Sequence, residues 1–90
     1  MGAHCNLGIE LREKGDLEGA IAEYRTALRL DPNEVHARYN LAIALRAKGD
    51  LVSARNEYKK ALKLIPKTPE NQPKIKSIKS VLSELAGAMR

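Results

Sequence analysis

Residues 6–32 read NLGIELREKGDLEGAIAEYRTALRLDP, and residues 40–66 read NLAIALRAKGDLVSARNEYKKALKLIP. The two stretches lie 34 residues apart, align without a gap and are identical at 16 of 27 positions. A match of this density at one fixed offset indicates an internal repeat, in which one supersecondary unit packs against a copy of itself. Residues 69–90 do not match the repeat.

Each copy predicts an antiparallel pair of helices. Apolar residues recur at spacings of three and four on both sides of a Gly-Asp dipeptide, at residues 15–16 and again at 49–50. Glycine accepts the left-handed conformation in which helices often end, and aspartate accepts hydrogen bonds from the first free N–H groups of the next helix. Proline ends each copy, because it disfavours the helical conformation of the preceding residue. The predicted helices are 2–14, 17–30, 33–48 and 51–64.

Side-chain size indicates how these helices pack. The predicted packing face of the first helix holds Ala3, Leu7, Gly8 and Leu11, and that of the third holds Ala37, Leu41, Ala42 and Leu45. The second and fourth helices carry small alanines, over which backbones can approach closely, and one tyrosine each. We expect the rings of Tyr24 and Tyr58 to be buried between hairpins, with each hydroxyl reaching a partner or water.

The last segment predicts a capping helix over about residues 72–88. Three prolines make residues 66–73 extended or turn-like, and Asn71 is the expected helix cap. Apolar residues then recur at threes and fours, namely Ile75, Ile78, Leu82, Leu85 and Met89. A stack of hairpins leaves its last apolar face bare, and a helix with one apolar stripe covers it.

Length and composition limit the classes of function. Ninety residues allow one small domain, and no apolar run approaches the roughly 20 residues that span a bilayer. The chain has a single cysteine, which suits a reducing compartment, and we predict a cytoplasmic protein. His4 and Cys5 are adjacent on a helix and point in different directions, so no metal site is predicted. No catalytic set or phosphate-binding loop is present, so we predict neither an enzyme nor a cofactor.

Charge changes sign along the chain. Residues 1–32 hold four basic and six acidic residues, whereas residues 33–66 hold seven and three, and residues 67–90 hold five and two. This asymmetry could steer a partner, although it is also what an ordinary solvated surface shows. Basic clusters at Lys59, Lys60 and Lys63 and at Lys74, Lys76 and Lys79 could contact phosphates. Because no aromatic residues are interleaved with them, the sequence argues against a nucleic-acid partner.

The repeated positions resemble those of the tetratricopeptide repeat. They are Leu7-Gly8, Ala20, Tyr24, Ala27 and Pro32, with Leu41-Ala42, Ala54, Tyr58, Ala61 and Pro66. The resemblance implies an all-α domain, a right-handed superhelical stack of repeat one (1–34), repeat two (35–68) and the capping helix. One departure is that His4 and Arg38 stand where the family usually has an aromatic residue. A second is that Leu11 and Leu45 occupy the next aromatic position.

The resemblance also implies a concave groove, lined by the first helix of each hairpin, that binds a protein or peptide segment without catalysis. The groove would be lined by first-helix side chains that do not pack within their own repeat unit: Cys5, Asn6, Ile9, Arg12, Glu13, His36, Tyr39, Asn40, Ile43 and Arg46. Lys74, Ser77 and Ile78 could complete the wall. We expect Asn6 and Asn40 to contact a peptide backbone, and a groove-facing Cys5 to expose its thiol. The absence of Lys and Asn at positions 5 and 9 argues against a clamp for C-terminal carboxylates.

The sequence leaves two further interpretations open. Two repeats are fewer than the three usually needed for independent stability, so the chain could be a self-associating structural module or an engineered repeat protein. An exposed apolar face around Ala3, Leu7 and Leu11 would then pair with a copy of itself, giving a homo-oligomer. Exchange of the capping helix between chains is a second route to a dimer.

Overall fold

A computed structural model describes residues 2–88, and its helices follow the repeat. Five α-helices occur in this range: α1 (Gly2–Glu13), α2 (Leu17–Leu30), α3 (Val35–Lys48), α4 (Leu51–Leu64) and α5 (Gln72–Ala88). A short 3₁₀ helix at Pro69–Asn71 precedes α5. The helices stack in chain order: α1 packs on α2, α2 on α3, α3 on α4 and α4 on α5.

The turns within the hairpins confirm the Gly-Asp prediction. Gly15 and Gly49 have φ angles of 90° and 97°, in the left-handed region that side chains with a Cβ rarely adopt. Asp16 Oδ1 accepts a hydrogen bond from the Gly19 N–H at 2.9 Å, and Asp50 Oδ1 accepts one from the Ser53 N–H at 3.2 Å. Each N-terminus of α2 and α4 is therefore capped by the residue that the sequence indicates.

One predicted helix start and one predicted helix cap were wrong. Helix α3 begins at Val35 rather than residue 33, because Glu34 is its cap and accepts a hydrogen bond from the His36 N–H at 3.0 Å. Asn71 does not cap α5, since it already belongs to the 3₁₀ turn. Its side-chain Nδ2 instead donates to the Pro66 carbonyl at 3.0 Å, which ties the linker back to the end of α4.

The tyrosines and alanines form the predicted core. The exposed fraction is 0% for Tyr24 and 2% for Tyr58. Gly8 allows α1 to lie directly on the Tyr24 ring, because a Cβ there would lie 2.5 Å from Tyr24 Cε1. The Tyr24 hydroxyl is buried and donates to no protein group among the described residues.

Helix α1 packs on only part of the predicted face: Gly8 is buried and Leu11 packs half-buried against the core, as expected. Cys5 is also buried, whereas Ala3 is exposed and Leu7 is 43% exposed. The counterparts of Ala3 and Leu7 in α3 are Ala37 and Leu41, which are buried because the first hairpin covers them. Within residues 2–88 nothing covers α1 in the same way, so its apolar stripe at Ala3 and Leu7 lies on the surface.

The two residues that replace the family's aromatic side chain make the same contact in each hairpin. His4 Nδ1 lies 2.7 Å from Glu23 Oε2, and 34 residues later Arg38 Nη1 lies 2.7 Å from Glu57 Oε1. Both pairs join the first helix of a hairpin to the second. The Arg38–Glu57 pair is 14% exposed on each side, and Arg38 Nη2 also donates to the Pro32 carbonyl at 2.6 Å. A polar link therefore takes the place of aromatic packing.

Helix α5 covers the last hairpin as expected. Ile75, Ile78 and Leu85 are buried, and Leu82 packs half-buried against the core. Met89, the last residue of the predicted stripe, lies outside the described residues. Over residues 2–88, no helix combines the length and apolarity that crossing a membrane requires.

Candidate functional site

A cavity of about 530 Å³ lies between α3 and α5, with α4 behind it. It exists because the two helices are held apart: over residues 2–88, no Cα of α3 lies within 8 Å of a Cα of α5. Helix α3 supplies Tyr39, Ile43, Arg46 and Ala47, helix α4 supplies Tyr58, and helix α5 supplies Val81. The spacing of the α3 residues, i, i+4, i+7 and i+8, places them on one helical face.

Two tyrosine rings form an aromatic surface in this cavity. The Tyr39 and Tyr58 rings pack edge to face, with centroids 6.0 Å apart and planes inclined at 74°. This is a preferred arrangement for aromatic pairs. Since Tyr58 is buried in the core, it fixes the position of the half-buried Tyr39 ring. The aromatic surface is therefore preorganised for contact with an apolar side chain.

Two charged contacts bridge α3 and α5 at opposite ends of the cavity. Lys74 Nζ lies 5.3 Å from the centroid of the Tyr39 ring, within range of a cation–π interaction. Arg46 Nη2 lies 2.7 Å from Glu84 Oε2. Helical rise places Tyr39 and Arg46 roughly 10 Å apart along α3, and Lys74 and Glu84 roughly 15 Å apart along α5. The opening between these contacts matches a few residues of an extended peptide.

Burial and nearby charges act on the Tyr58 hydroxyl. Burial raises the pKa of the Tyr58 hydroxyl, with the nearby Tyr39 as a smaller cause. The positive charges of Arg46 and Arg12 partly offset this rise in pKa, because they favour the phenolate. Arg12 and Arg46 thus act on one buried hydroxyl, although they belong to different helices.

The structure divides the predicted groove residues into three groups. Tyr39, Ile43 and Arg46 line the cavity, and Lys74 reaches it through Tyr39. Other predicted residues do not line it. They are the half-buried Ile9, Arg12 and Asn40 and the exposed Asn6, Glu13, His36 and Ser77. The expectation for Cys5 was wrong: it is only 9% exposed and belongs to the core, and burial raises the pKa of its thiol.

Sequence reasoning also missed part of the wall. Ile78 was expected to line it, but its exposed fraction is 0% and it packs in the core. Val81 takes its place in the cavity, seven residues after Lys74 and so almost two full turns along the same face. Periodicity from Lys74 would have found Val81. No sequence pattern pointed to Glu84. Its part in the site is the ion pair with Arg46, which forms only when α3 and α5 are assembled.

A second, smaller hollow of about 250 Å³ lies where the α2–α3 loop meets the end of α4. It is lined by Pro32, Asn33, Arg38, Lys60, Lys63 and Leu64. Arg38 is already committed to Glu57 and the Pro32 carbonyl, and Lys60 Nζ lies 3.7 Å from the other Glu57 oxygen. The six lining residues include no aromatic ring on which a base could stack.

Comparison with known proteins settles the family. The family model of the tetratricopeptide repeat matches residues 5–69, which is more than two thirds of the chain. The chain belongs to the tetratricopeptide repeat family. The predicted all-α stack of tetratricopeptide hairpins is thereby confirmed, and so is the resemblance inferred from the repeat. No curated protein sequence matches the chain.

Solved structures show the same tetratricopeptide fold. The type III secretion translocator chaperone SycD of Yersinia enterocolitica is 24% identical, with a TM-score of 0.89 over 96% of this chain and 59% of its own. SycD in complex with a peptide of the translocator YopD gives the same identity and TM-score, over 97% and 66%. PcrH from Pseudomonas aeruginosa is 22% identical, with a TM-score of 0.82 over 92% and 63%. The chain thus spans 59–66% of the length of these proteins.

Proposed function

We propose that this tetratricopeptide domain is a non-catalytic protein-interaction module that binds a peptide segment of a partner protein along α1, α3 and α5. The cavity between α3 and α5 anchors the segment by one apolar side chain. The observation that carries this proposal is the open cavity itself, with an aromatic surface that is fixed by a core tyrosine. Binding energy at protein interfaces concentrates where such a pocket accepts an anchoring side chain.

The groove residues fit the rest of an extended segment. Asn40 is half-buried on α3, and its amide offers both a donor and an acceptor to a peptide backbone. Asn6 is its counterpart on α1, one repeat away, and is exposed. One structure with the same fold, SycD, has been solved with a peptide of YopD, which supports a peptide as the class of ligand.

A random-peptide library selected against the immobilised domain tests this proposal. We expect selected peptides to bind the parent and to lose at least about tenfold in affinity for Ile43→Asp, because the substitution places a charge in the apolar cavity. Leu30→Asp is the matched control: Leu30 is 65% exposed on α2 and does not line the cavity. Calorimetric titration measures both variants. Equal losses for both, or no loss for Ile43→Asp, would contradict the assignment of the cavity.

A further inference from the structure

The groove carries more positive charge than its own carboxylates neutralise. Lys74 lies over the Tyr39 ring and Arg12 is half-buried on α1, and neither forms an ion pair within residues 2–88. Arg46 has one carboxylate partner, Glu84. Glu13 lies on α1 next to Arg12 in sequence but is exposed and makes no ion pair in the same range. A ligand in the cavity meets Arg46 and Lys74 at its wall, and a ligand that extends to α1 also meets Arg12.

We propose that the partner segment places an acidic residue next to its apolar anchor, and that the acidic carboxylate replaces Glu84 at the Arg46 guanidinium. This inference rests on the proposed function and specifies the chemistry of the ligand. The apolar side chain lies against Tyr39, Ile43 and Val81, and the neighbouring carboxylate faces Arg46. Charge complementarity selects this ligand, because a basic segment would place like charges against Arg12, Arg46 and Lys74.

Glu84 occupies the place at the Arg46 guanidinium that the carboxylate of the partner segment would take. It is 38 residues from Arg46 in sequence, and its carboxylate crosses the gap between α3 and α5 to reach the guanidinium. The pair is exposed, with 43% of the Arg46 side chain and 62% of the Glu84 side chain accessible. Exposed pairs contribute little to stability, so a ligand carboxylate exchanges with Glu84 at small cost. Arg46 can also offer a planar fork of donors to a carboxylate, which a lysine cannot.

Two synthetic peptides test the inference. Both take their flanking residues from the strongest library binder, and they differ only in whether leucine is followed by glutamate or by glutamine. Acetylated and amidated ends leave the glutamate as the carboxylate under test. We expect the parent to bind the glutamate peptide about two- to fivefold more tightly, because an exposed ion pair contributes up to about 1 kcal/mol. Added salt should reduce this preference.

Three variants separate the contributions. Glu84→Gln should bind the glutamate peptide about two- to fivefold more tightly than the parent and leave the glutamine peptide unchanged, because it removes the competing carboxylate. Arg46→Gln should abolish the preference. Arg29→Gln, the same charge change at an exposed site on α2, should retain it.

The results distinguish this inference from the proposed function. If the parent binds both peptides equally while Ile43→Asp binds neither, the acidic preference is wrong and the groove assignment stands. If Glu84→Gln weakens binding of the glutamate peptide, Glu84 is not a competitor and the exchange is wrong. If the library yields no peptide that depends on Ile43, both the inference and the proposed function are wrong.

Discussion

Gly8 provides the sharpest test of how the first hairpin packs. A Cβ added there would lie 2.5 Å from Cε1 of Tyr24 and 2.9 Å from Cδ1 and Cζ. The ring cannot move aside without disturbing the core, because Tyr24 is fully buried. Overpacking of this kind costs about 1–3 kcal/mol, and alanine recovers up to about 1 kcal/mol through its higher helix propensity. We therefore expect Gly8→Ala to lower the free energy of unfolding by up to about 2 kcal/mol.

Gly87 is the matched control in the same chain. It lies in α5, and no atom lies within 4 Å of a Cβ added there. Gly87→Ala should therefore stabilise the domain slightly, by at most about 1 kcal/mol, because only the propensity term acts. The difference between the two glycine substitutions isolates the clash with Tyr24, and we expect it to be about 1–3 kcal/mol.

Urea unfolding followed by far-ultraviolet circular dichroism measures both free energies, provided that the denaturant slope is the same in all variants. A second comparison removes the ring: in a Tyr24→Leu background, Gly8→Ala should lose most of its penalty. If Gly8→Ala stabilises the parent as much as Gly87→Ala does, α1 does not lie on the Tyr24 ring as described. The same conclusion follows if the Gly8→Ala penalty persists without the ring.

Two further predictions follow from pKa shifts. Burial raises the pKa of the Cys5 thiol and also excludes reagents, so at mildly alkaline pH a thiol-specific dye should label the folded protein at least about tenfold more slowly than the urea-unfolded chain. Equal rates would show that Cys5 faces solvent. For Asp50, hydrogen bonds from Ser53 lower the pKa of the carboxyl below its ordinary value of 3.8. The folded pKa is depressed, so this stabilisation is present at neutral pH and is lost as the pH falls through the folded pKa. The parent should therefore exceed Asp50→Asn in unfolding free energy near neutral pH, and the difference should shrink below pH 3.8; a constant difference would contradict this.

Features carried by neighbouring residues could be predicted closely. The ends of α2 and α4 agree with the structure, because in each helix a capping aspartate and a proline just beyond the last turn give independent signals. The start of α3 could not be fixed, since both Asn33 and Glu34 can cap and only the Glu34–His36 contact decides between them. Local signals therefore locate a helix, and competing caps shift its first turn.

Features that depend on neighbouring helices could not be read from one helix. Cys5 and Tyr39 occupy the same repeat position, yet Cys5 is in the core and Tyr39 lines the cavity. The difference arises from the small size of the thiol and from the gap that opens between α3 and α5. Val81 rather than Ile78 lines the cavity for the same reason, because the rotation of α5 about its axis is set by its packing on α4. These details of the site need the assembled stack.

The exposed face of α1 provides a last test, which concerns self-association. In α3 the corresponding face buries Leu41 at 4% exposure and Ala44 at 0%, whereas α1 exposes Leu7 and carries Glu10 in the position of Ala44. A copy that packed on α1 as the first hairpin packs on α3 would bury the Glu10 carboxylate, which is costly without a partner.

We therefore expect the parent to remain monomeric and Glu10→Ala, which restores the α3 pattern, to associate as its concentration rises. Glu13→Ala is the matched control. It removes the same charge and also installs the residue found 34 positions later, but that residue, Ala47, is exposed. Light scattering over a range of concentrations measures the three masses. A parent that already dimerises would show that Glu10 does not block this face, and association of both variants alike would show that net charge, rather than position, controls it.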